Sequence, residues 1–190
     1  MILKFIYQMR LINILTIMFS FFSFNSFSTN SNTTSFYDLT INSIDGDVID
    51  FSSFKGKNVL IVNVASYCGF TGQYKALERL FTENKDNLIV IGVPCNQFGS
   101  QEPNNEKQIQ EFCEKNFGVS FTLTEKVDVK GSKQHPLYKW LTNKNLNGVI
   151  ESSVKWNFQK YLVNKNGELI NYFLSTTSPT STKITSLIKQ

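Results

Sequence analysis

The sequence contains few of the residue types on which metal sites and histidine-assisted catalysis depend. Its 190 residues include one histidine and three cysteines. The histidine, His135, opens the segment HPLYKWL and is interpreted as a surface residue at the start of a helix. Cys95 and Cys113 are the two most closely spaced cysteines, so we expect no bound metal. A cysteine hydrolase needs a histidine base, and the one histidine, at the start of a helix, is a poor candidate, so this class of enzyme is disfavoured.

Clustered positive charge and a disulfide framework are also lacking. The formal net charge is +4, and the lysines and arginines form no block, so we expect no nucleic-acid-binding face. The three cysteines are widely spaced and odd in number. Both features argue against a small fold held together by disulfides. At least one of them is therefore expected to be a thiol.

The N-terminal segment has the features of a secretory signal. Lys4 and Arg10 precede the apolar run LINILTIMFSFFSF, and the small residues Ser26 and Ser28 follow it in a pattern that signal peptidase cuts. The run is shorter than the roughly 20 apolar residues that a bilayer span requires. We predict export to the periplasm, the envelope or the exterior. A retained membrane anchor, or a true start at Met9, is the alternative.

This interpretation divides the chain into three parts. They are a signal peptide over residues 1–28, a polar linker over 29–35 and one folded domain over 36–190.

Beyond residue 35, the hydrophobic pattern predicts an α/β fold. Asp45-Gly46 joins two short alternating segments, which is a strong β-hairpin signal. The run NVLIVNVA (58–65) is nearly continuous in apolar residues, as in a central strand buried on both faces. A helix from Gly72 to about Lys85 and a strand over 87–93 complete a right-handed crossover unit.

The second half of the domain adds further helices and a hairpin. A helix within 104–118 begins after Asn104 or Asn105, and another helix lies in HPLYKWLTNK. The segments SVKWNFQKYLV and GELINYFL predict two strands, and Ser178-Pro179 predicts the start of a last helix. This order predicts a thioredoxin-like fold, with a central mixed sheet flanked by helices and an N-terminal β-hairpin.

Cys68 lies just beyond the predicted central strand, in NVASYCGFTGQY. Ligand crevices of open α/β sheets lie at that end of the strands, and the following helix directs its N–H groups there, which favours a thiolate. Thr71 stands where a Cys-x-x-Cys motif has its second cysteine, so a thiol-disulfide oxidoreductase is disfavoured. Peroxide reduction fits better, because neutral donors suffice to stabilise the departing oxygen while Cys68 becomes a sulfenic acid.

Three stretches resemble the signature sequences of the glutathione peroxidase family in order and spacing: NVASYCGFTGQY, GVPCNQFGSQEPNNEKQI and WNFQKYLVNKNGE. The resemblance runs from about Phe36 to Ile188. It implies a peroxidase active in the response to oxidative stress, with Cys68 as the catalytic cysteine and Gln97, Trp156 and Asn157 as the other members of the catalytic tetrad. Neighbouring strand residues face opposite sides of a sheet, so Trp156 and Asn157 are expected at a strand start or bend.

The resemblance also implies a reducing co-substrate and no bound cofactor. Cys113 is the candidate resolving cysteine, because many bacterial members carry one in this helix. It lies on the apolar face, so a disulfide with Cys68 requires local opening of the helix. Cys95 is interpreted as structural. Asn171 and Tyr172 stand where many relatives have Lys and Arg, which favours a thioredoxin-type protein over glutathione as the reductant.

The segment between LYKWL and WNF lacks the long insertion with which tetrameric relatives assemble. We therefore expect a monomer, whose uncovered site would suit lipid hydroperoxides at a membrane surface. The alternative from another functional class is a peroxide sensor or redox relay, in which oxidised Cys68 passes its oxidation to a partner protein.

Overall fold

A computed structural model of the protein describes residues 34–189. The predicted signal peptide and nearly all of the linker lie outside this range. The strands are β1 (Thr40–Asn42), β2 (Val48–Asp50), β3 (Asn58–Val64), β4 (Leu88–Pro94), β5 (Thr122–Leu123), β6 (Lys160–Val163) and β7 (Leu169–Phe173). The α-helices are α1 (Gln73–Glu83), α2 (Glu106–Phe117), α3 (Pro136–Thr142), α4 (Lys144–Asn147) and α5 (Thr182–Ile188). None of the helices within this range has the length and hydrophobicity to cross a bilayer.

The main sheet has five strands in the order β5-β4-β3-β6-β7, and β3 is its centre. β3 pairs with β4 in parallel and with β6 in antiparallel orientation, so the sheet is mixed. β1 and β2 form a separate antiparallel hairpin near the N-terminus of the domain. The thioredoxin-like fold predicted from the sequence, including the central position of β3, is confirmed.

Apolar layers cover both faces of β3, all seven residues of which are buried. Alternate residues point to opposite faces: Leu60 and Val62 join the core that α1, α2 and α5 cover, while Val59 and Ile61 join the core that α3 covers. A strand with both faces covered has no room for an alternating polar pattern, which explains the nearly continuous apolar run in the sequence.

Capping interactions fix the ends of α2, and its N-cap is Asn105. The Asn105 side chain accepts the Gln108 N–H, and the Gln108 side chain accepts the Asn105 N–H in return. Gly118 ends the helix in the left-handed conformation at φ +64°.

The predicted start of the last helix at Pro179 is wrong. The Ser181 N–H bonds the Ser178 carbonyl at 3.0 Å, which closes a turn around Pro179. The Ser181 side chain then caps α5 by accepting the Lys183 N–H, so the helix begins only at Thr182.

Gly167, in the turn between β6 and β7, allows the N-terminal segment to approach closely. Its φ is +81°, and a Cβ at this position would lie 2.7 Å from the Tyr37 ring. The Tyr37 hydroxyl donates to the Lys165 carbonyl at 2.8 Å, which holds the ring in place.

We expect Gly167→Ala to lower the free energy of unfolding by about 2–4 kcal/mol, because left-handed strain of about 1–2 kcal/mol adds to a steric clash. Urea-induced unfolding of the two proteins measures this loss.

Gly131→Ala is the matched control for this substitution. Gly131 has a similar φ of +84°, but a Cβ there would meet no atom within 4 Å. It should therefore lose only the roughly 1–2 kcal/mol of backbone strain. Equal losses in the two variants would show that the contact between Tyr37 and Gly167 has no energetic weight.

Candidate active site

The strand register brings three loops to one edge of the sheet. Val64 of β3 pairs with Pro94 of parallel β4, and Val62 pairs with Lys160 of antiparallel β6. The segments that follow β3 and β4 and the segment that precedes β6 therefore leave the sheet at the same edge. These segments contain Cys68, then Gln97 and Gln101, and then Trp156 and Asn157.

Thr71 shapes the loop that carries Cys68. Its hydroxyl oxygen accepts the Cys68 N–H at 3.0 Å, and the same hydroxyl donates to the Ala65 carbonyl at 2.9 Å. Cys68 is 8% exposed, and its sulfur accepts the Phe70 N–H at 3.4 Å. A backbone N–H directed at the sulfur stabilises negative charge on it. The residue that excludes a Cys-x-x-Cys pair thus holds the single cysteine in place.

Gln97 has its carboxamide bonded to the backbone of another loop. Its Oε1 accepts the N–H groups of Val129 and Lys130 at 2.8 and 3.0 Å, and its Nε2 donates to the Lys130 carbonyl at 2.9 Å. The structure therefore assigns Gln97 a bridging position between loops. This geometry does not match the catalytic position that the sequence resemblance implied for this residue.

The glutamine of this loop that bonds Asn157 is Gln101 rather than Gln97. Its Oε1 accepts the Asn157 Nδ2 at 3.0 Å, and its carbonyl oxygen accepts the Tyr67 N–H at 3.0 Å. Gln101 therefore connects the residue before Cys68 with the residue after Trp156. It lies four residues beyond Gln97 in the same motif, GVPCNQFGSQEP, so a second glutamine was the available signal.

Trp156 and Asn157 lie in a turn just before β6. This agrees with the expectation that they lie at a strand start or bend. Phe158 adopts φ +62°, a conformation uncommon outside glycine, and its N–H bonds the Asn63 carbonyl at 2.6 Å. Asn63 Nδ2 in turn donates to the Trp156 carbonyl at 3.0 Å. The turn leaves the Trp156 side chain 40% exposed, packed against Phe98, while Asn157 is fully buried.

Glu102 is a fully buried carboxyl group behind the Cys68 loop. Its Oε2 accepts the Ser66 hydroxyl at 3.0 Å, whereas its Oε1 has no partner among residues 34–189. Desolvation raises the pKa of Glu102 to about 7, although the Ser66 hydrogen bonds oppose this shift. Burial therefore favours the neutral form of this carboxyl group.

Lys160 is a second buried ionisable side chain near this edge. Its ammonium group donates to Gln73 at the start of α1 and to the carbonyls of Ser175 and Thr177. Burial lowers the pKa of Lys160 to about 7. These bonds connect β6 to the first residue of the helix that follows Cys68.

All three cysteines are free thiols in this structure. Cys113 lies on the inner face of α2 beside the Tyr74 hydroxyl, and burial raises its pKa to about 11. Burial also raises the pKa of Cys95, whose sulfur accepts the Gln97 N–H at 3.5 Å. Within the described part of the chain, no group of His, Cys, Asp and Glu side chains is arranged to hold a metal ion.

Comparison with protein families matches residues 36–142 to a model described as glutathione peroxidase. A Saccharomyces cerevisiae protein named glutathione peroxidase-like peroxiredoxin 2 is 47% identical over 150 residues, which cover 78% of this chain and 93% of that protein. A Lactococcus lactis protein named glutathione peroxidase is 42% identical over 146 residues, which cover 76% of this chain and 92% of that protein.

Solved structures show the same relationship. A crystal structure described as Trgpx in its apo form has a TM-score of 0.64 and 40% sequence identity, and it covers 83% of this chain and 97% of its own. A thiol:disulfide interchange protein of the thioredoxin family from Chlorobium tepidum has a TM-score of 0.58 at 12% identity, covering 79% of this chain and 92% of its own. At that identity the likeness shows the fold alone.

The buried carboxyl group of Glu102 should make stability depend on pH. Its pKa is about 7 in the folded protein, above the ordinary value of 4.5, so the folded state binds more protons between these values. Its contribution to stability is therefore complete below about pH 4.5 and is lost as the pH rises through 7. We expect the free energy of unfolding, relative to that of Glu102→Gln, to fall by up to about 3 kcal/mol over this range.

Urea-induced unfolding of both proteins at a series of pH values measures this difference. Glu102→Gln retains an oxygen for the Ser66 hydroxyl but cannot ionise, and subtracting its curve removes the contributions of all other titrating groups. Parallel curves for the two proteins would show that Glu102 ionises normally in the fold.

Proposed function

The chain belongs to the glutathione peroxidase family of peroxidases, and on this premise we propose that Cys68 is the residue that reduces the peroxide. The observation that carries the proposal is the convergence at one sheet edge of the Cys68 loop and the bonded pair of Gln101 and Asn157. The Phe70 N–H directed at the Cys68 sulfur adds a hydrogen-bond donor beside the reacting atom.

In the first step, the Cys68 thiolate attacks one oxygen of the hydroperoxide. An S–O bond forms, the O–O bond breaks, and the departing alkoxide or hydroxide takes up a proton to leave as alcohol or water. Cys68 is oxidised to a sulfenic acid while the peroxide is reduced. The departing oxygen carries the developing negative charge, so donors aimed at it lower the barrier.

Gln101 and Trp156 are the donors that we assign to this step. Asn157 holds the Oε1 end of the Gln101 amide, which leaves Nε2 to donate to the peroxide. The indole of Trp156 is partly exposed at the same edge, and its Nε1 is a donor without charge. Asn157 acts as the positioning residue. In this proposal Gln101 replaces Gln97 as the glutamine of the catalytic site.

The sulfenic acid is then resolved by Cys113. The Cys113 sulfur attacks the Cys68 sulfur, an S–S bond forms, and the S–O bond breaks. The displaced hydroxide leaves with the thiol proton as water.

A thioredoxin-type dithiol reduces the disulfide, a choice supported by the naming of the yeast relative as a peroxiredoxin. Glutathione is the rival reductant. Asn171 and Tyr172 on β7 supply no cation for its carboxylates.

The surroundings of the site support organic and lipid hydroperoxides as substrates beside hydrogen peroxide. The Trp156 side chain is 40% exposed at this edge of the sheet, so apolar surface borders the site. We further propose that the protein acts as a monomer in an exported location, on the basis of the short segment before WNF and of the N-terminal signal features.

The two glutamines of the 95–101 loop offer a direct test of the assigned donors. We expect Gln101→Ala to lower the second-order rate constant for oxidation of Cys68 by cumene hydroperoxide about 10- to 100-fold, through loss of a donor to the departing oxygen. Gln97→Ala, which removes only a bridge between loops, should stay within about threefold of wild type. Stopped-flow fluorescence measures both constants. A larger loss in Gln97→Ala would restore Gln97 to the catalytic role.

Turnover with alternative reductants tests the complete cycle. With thioredoxin and its reductase, steady-state consumption of cumene hydroperoxide should fall to background in both Cys68→Ser and Cys113→Ser, because both sulfurs are needed for the disulfide. Turnover with glutathione that survives the loss of Cys113 would instead establish a one-cysteine mechanism. Oxidation of Cys68 without turnover by either reductant would favour the sensor or relay function.

A further inference from the structure

The residues that precede the two cysteines contact each other directly. Tyr67 precedes Cys68 and Phe112 precedes Cys113, and their ring centroids lie 6.1 Å apart at an interplanar angle of 48°. The Tyr67 hydroxyl also accepts a hydrogen bond from the Nδ2 of Asn104 at 3.2 Å. Asn104 is the residue immediately before the N-cap of α2. One side chain of the Cys68 loop therefore holds α2 both at its beginning and at its middle.

Tyr67 also connects α2 to the peroxide site. Its N–H bonds the carbonyl oxygen of Gln101, whose side chain is bonded to Asn157. Its own side chain is 59% exposed, so truncating it opens no cavity in the core. The contacts of Tyr67 can thus be removed while the buried contacts of Ile109 and Cys113 beneath the helix remain.

We propose that Tyr67 is a positioning residue for the resolving step, because its contacts with Asn104 and Phe112 hold α2 closed over Cys113. The inference rests on the proposed function of Cys113. Cys113 is fully buried, and it forms a disulfide with Cys68 only after its part of α2 separates from the core. Tyr67 sets how often this separation occurs.

The chemical step itself is unchanged by this role. The Cys113 thiol loses its proton, its sulfur bonds to the Cys68 sulfur, and the sulfenic oxygen leaves as water. Tyr67 touches none of the reacting atoms in this account. Its removal should therefore alter the rate of disulfide formation and leave the attack of Cys68 on peroxide at its wild-type rate.

The test follows single turnover of the purified full chain with hydrogen peroxide. Stopped-flow fluorescence gives the second-order oxidation of Cys68 and then the first-order formation of the disulfide, which mass spectrometry of quenched samples verifies. In Tyr67→Ala we expect the first-order rate to rise about 3- to 10-fold, as the loss of an aromatic contact predicts, with the second-order rate constant unchanged. An unchanged or slower first-order phase would overturn the inference.

Two conservative variants separate the contacts. Tyr67→Phe keeps the ring against Phe112 but loses the bond from Asn104, and Asn104→Ala loses the same bond from the other side. Both should raise the first-order rate by about twofold or less, well below the effect of Tyr67→Ala. If Tyr67→Ala lowered the second-order rate constant for oxidation of Cys68, Tyr67 would belong to the peroxide site. That result would also contradict the inference.

Hydrogen exchange of the reduced protein measures the opening without any redox chemistry. The α2 amides around Cys113 should exchange faster in Tyr67→Ala by about the same factor as the disulfide rate, while the β3 amides keep their protection. Equal exchange in both proteins would overturn the inference alone. A wild-type protein that forms no disulfide between Cys68 and Cys113 would overturn the resolving step and, with it, the role of Tyr67.

Discussion

The candidate site depends on the register of β3 with its two neighbours, and Asn63 fixes that register. Asn63 is fully buried among the apolar residues of β3. Its N–H bonds the Gln159 carbonyl, its carbonyl accepts the Phe158 N–H, and its side chain bonds the Trp156 carbonyl. A slip of one residue between β3 and β6 would turn these groups to the opposite face and leave a buried amide unpaired. The alignment that pairs the Asn63 backbone and its Nδ2 is thus the one that brings Trp156 and Asn157 to the edge where Cys68 lies.

Hydrogen bonding is least complete around this same edge. Four buried polar atoms without a partner in residues 34–189 belong to residues in or beside the loops that meet there: Asn63, Tyr74, Glu102 and Asn157. Each such atom costs about 1–3 kcal/mol. The apolar layers on both faces of β3 offset this cost. The fold therefore tolerates unpaired polar atoms beside the candidate site, as expected where function conflicts with stability.

Local signals predicted most of the fold, and the failures of prediction arose from distant contacts. The apolar run of β3 and the polar cap of α2 act within a few residues, so the sequence predicts the strand and limits the N-cap to Asn104 or Asn105. The motif offers two glutamines, Gln97 and Gln101, and no local signal separates them. The Gln97 amide is bound by the backbone of Val129 and Lys130, more than thirty residues downstream, and this distant contact is the ground for proposing Gln101 instead. The start of α5 was misplaced because Ser181 competes with Pro179 as a helix-start signal, and the turn at Ser178 decided between them.

On the proposed cycle, the burial of Cys113 imposes the order of events. Cys113 is fully buried while α2 is closed, so peroxide does not reach its sulfur, and burial also raises the pKa of this thiol to about 11. The capping box at Asn105 and the left-handed Gly118 stabilise both ends of the helix, so release of Cys113 is a rare local event.

The stability of α2 then determines how long the Cys68 sulfenic acid persists. A short lifetime commits the oxidised sulfur to the internal disulfide and makes the protein a peroxidase. A long lifetime leaves the sulfenic acid available to the thiols of other proteins, which is the chemistry of a relay. One helix therefore sets the balance between the two functions that the sequence leaves open.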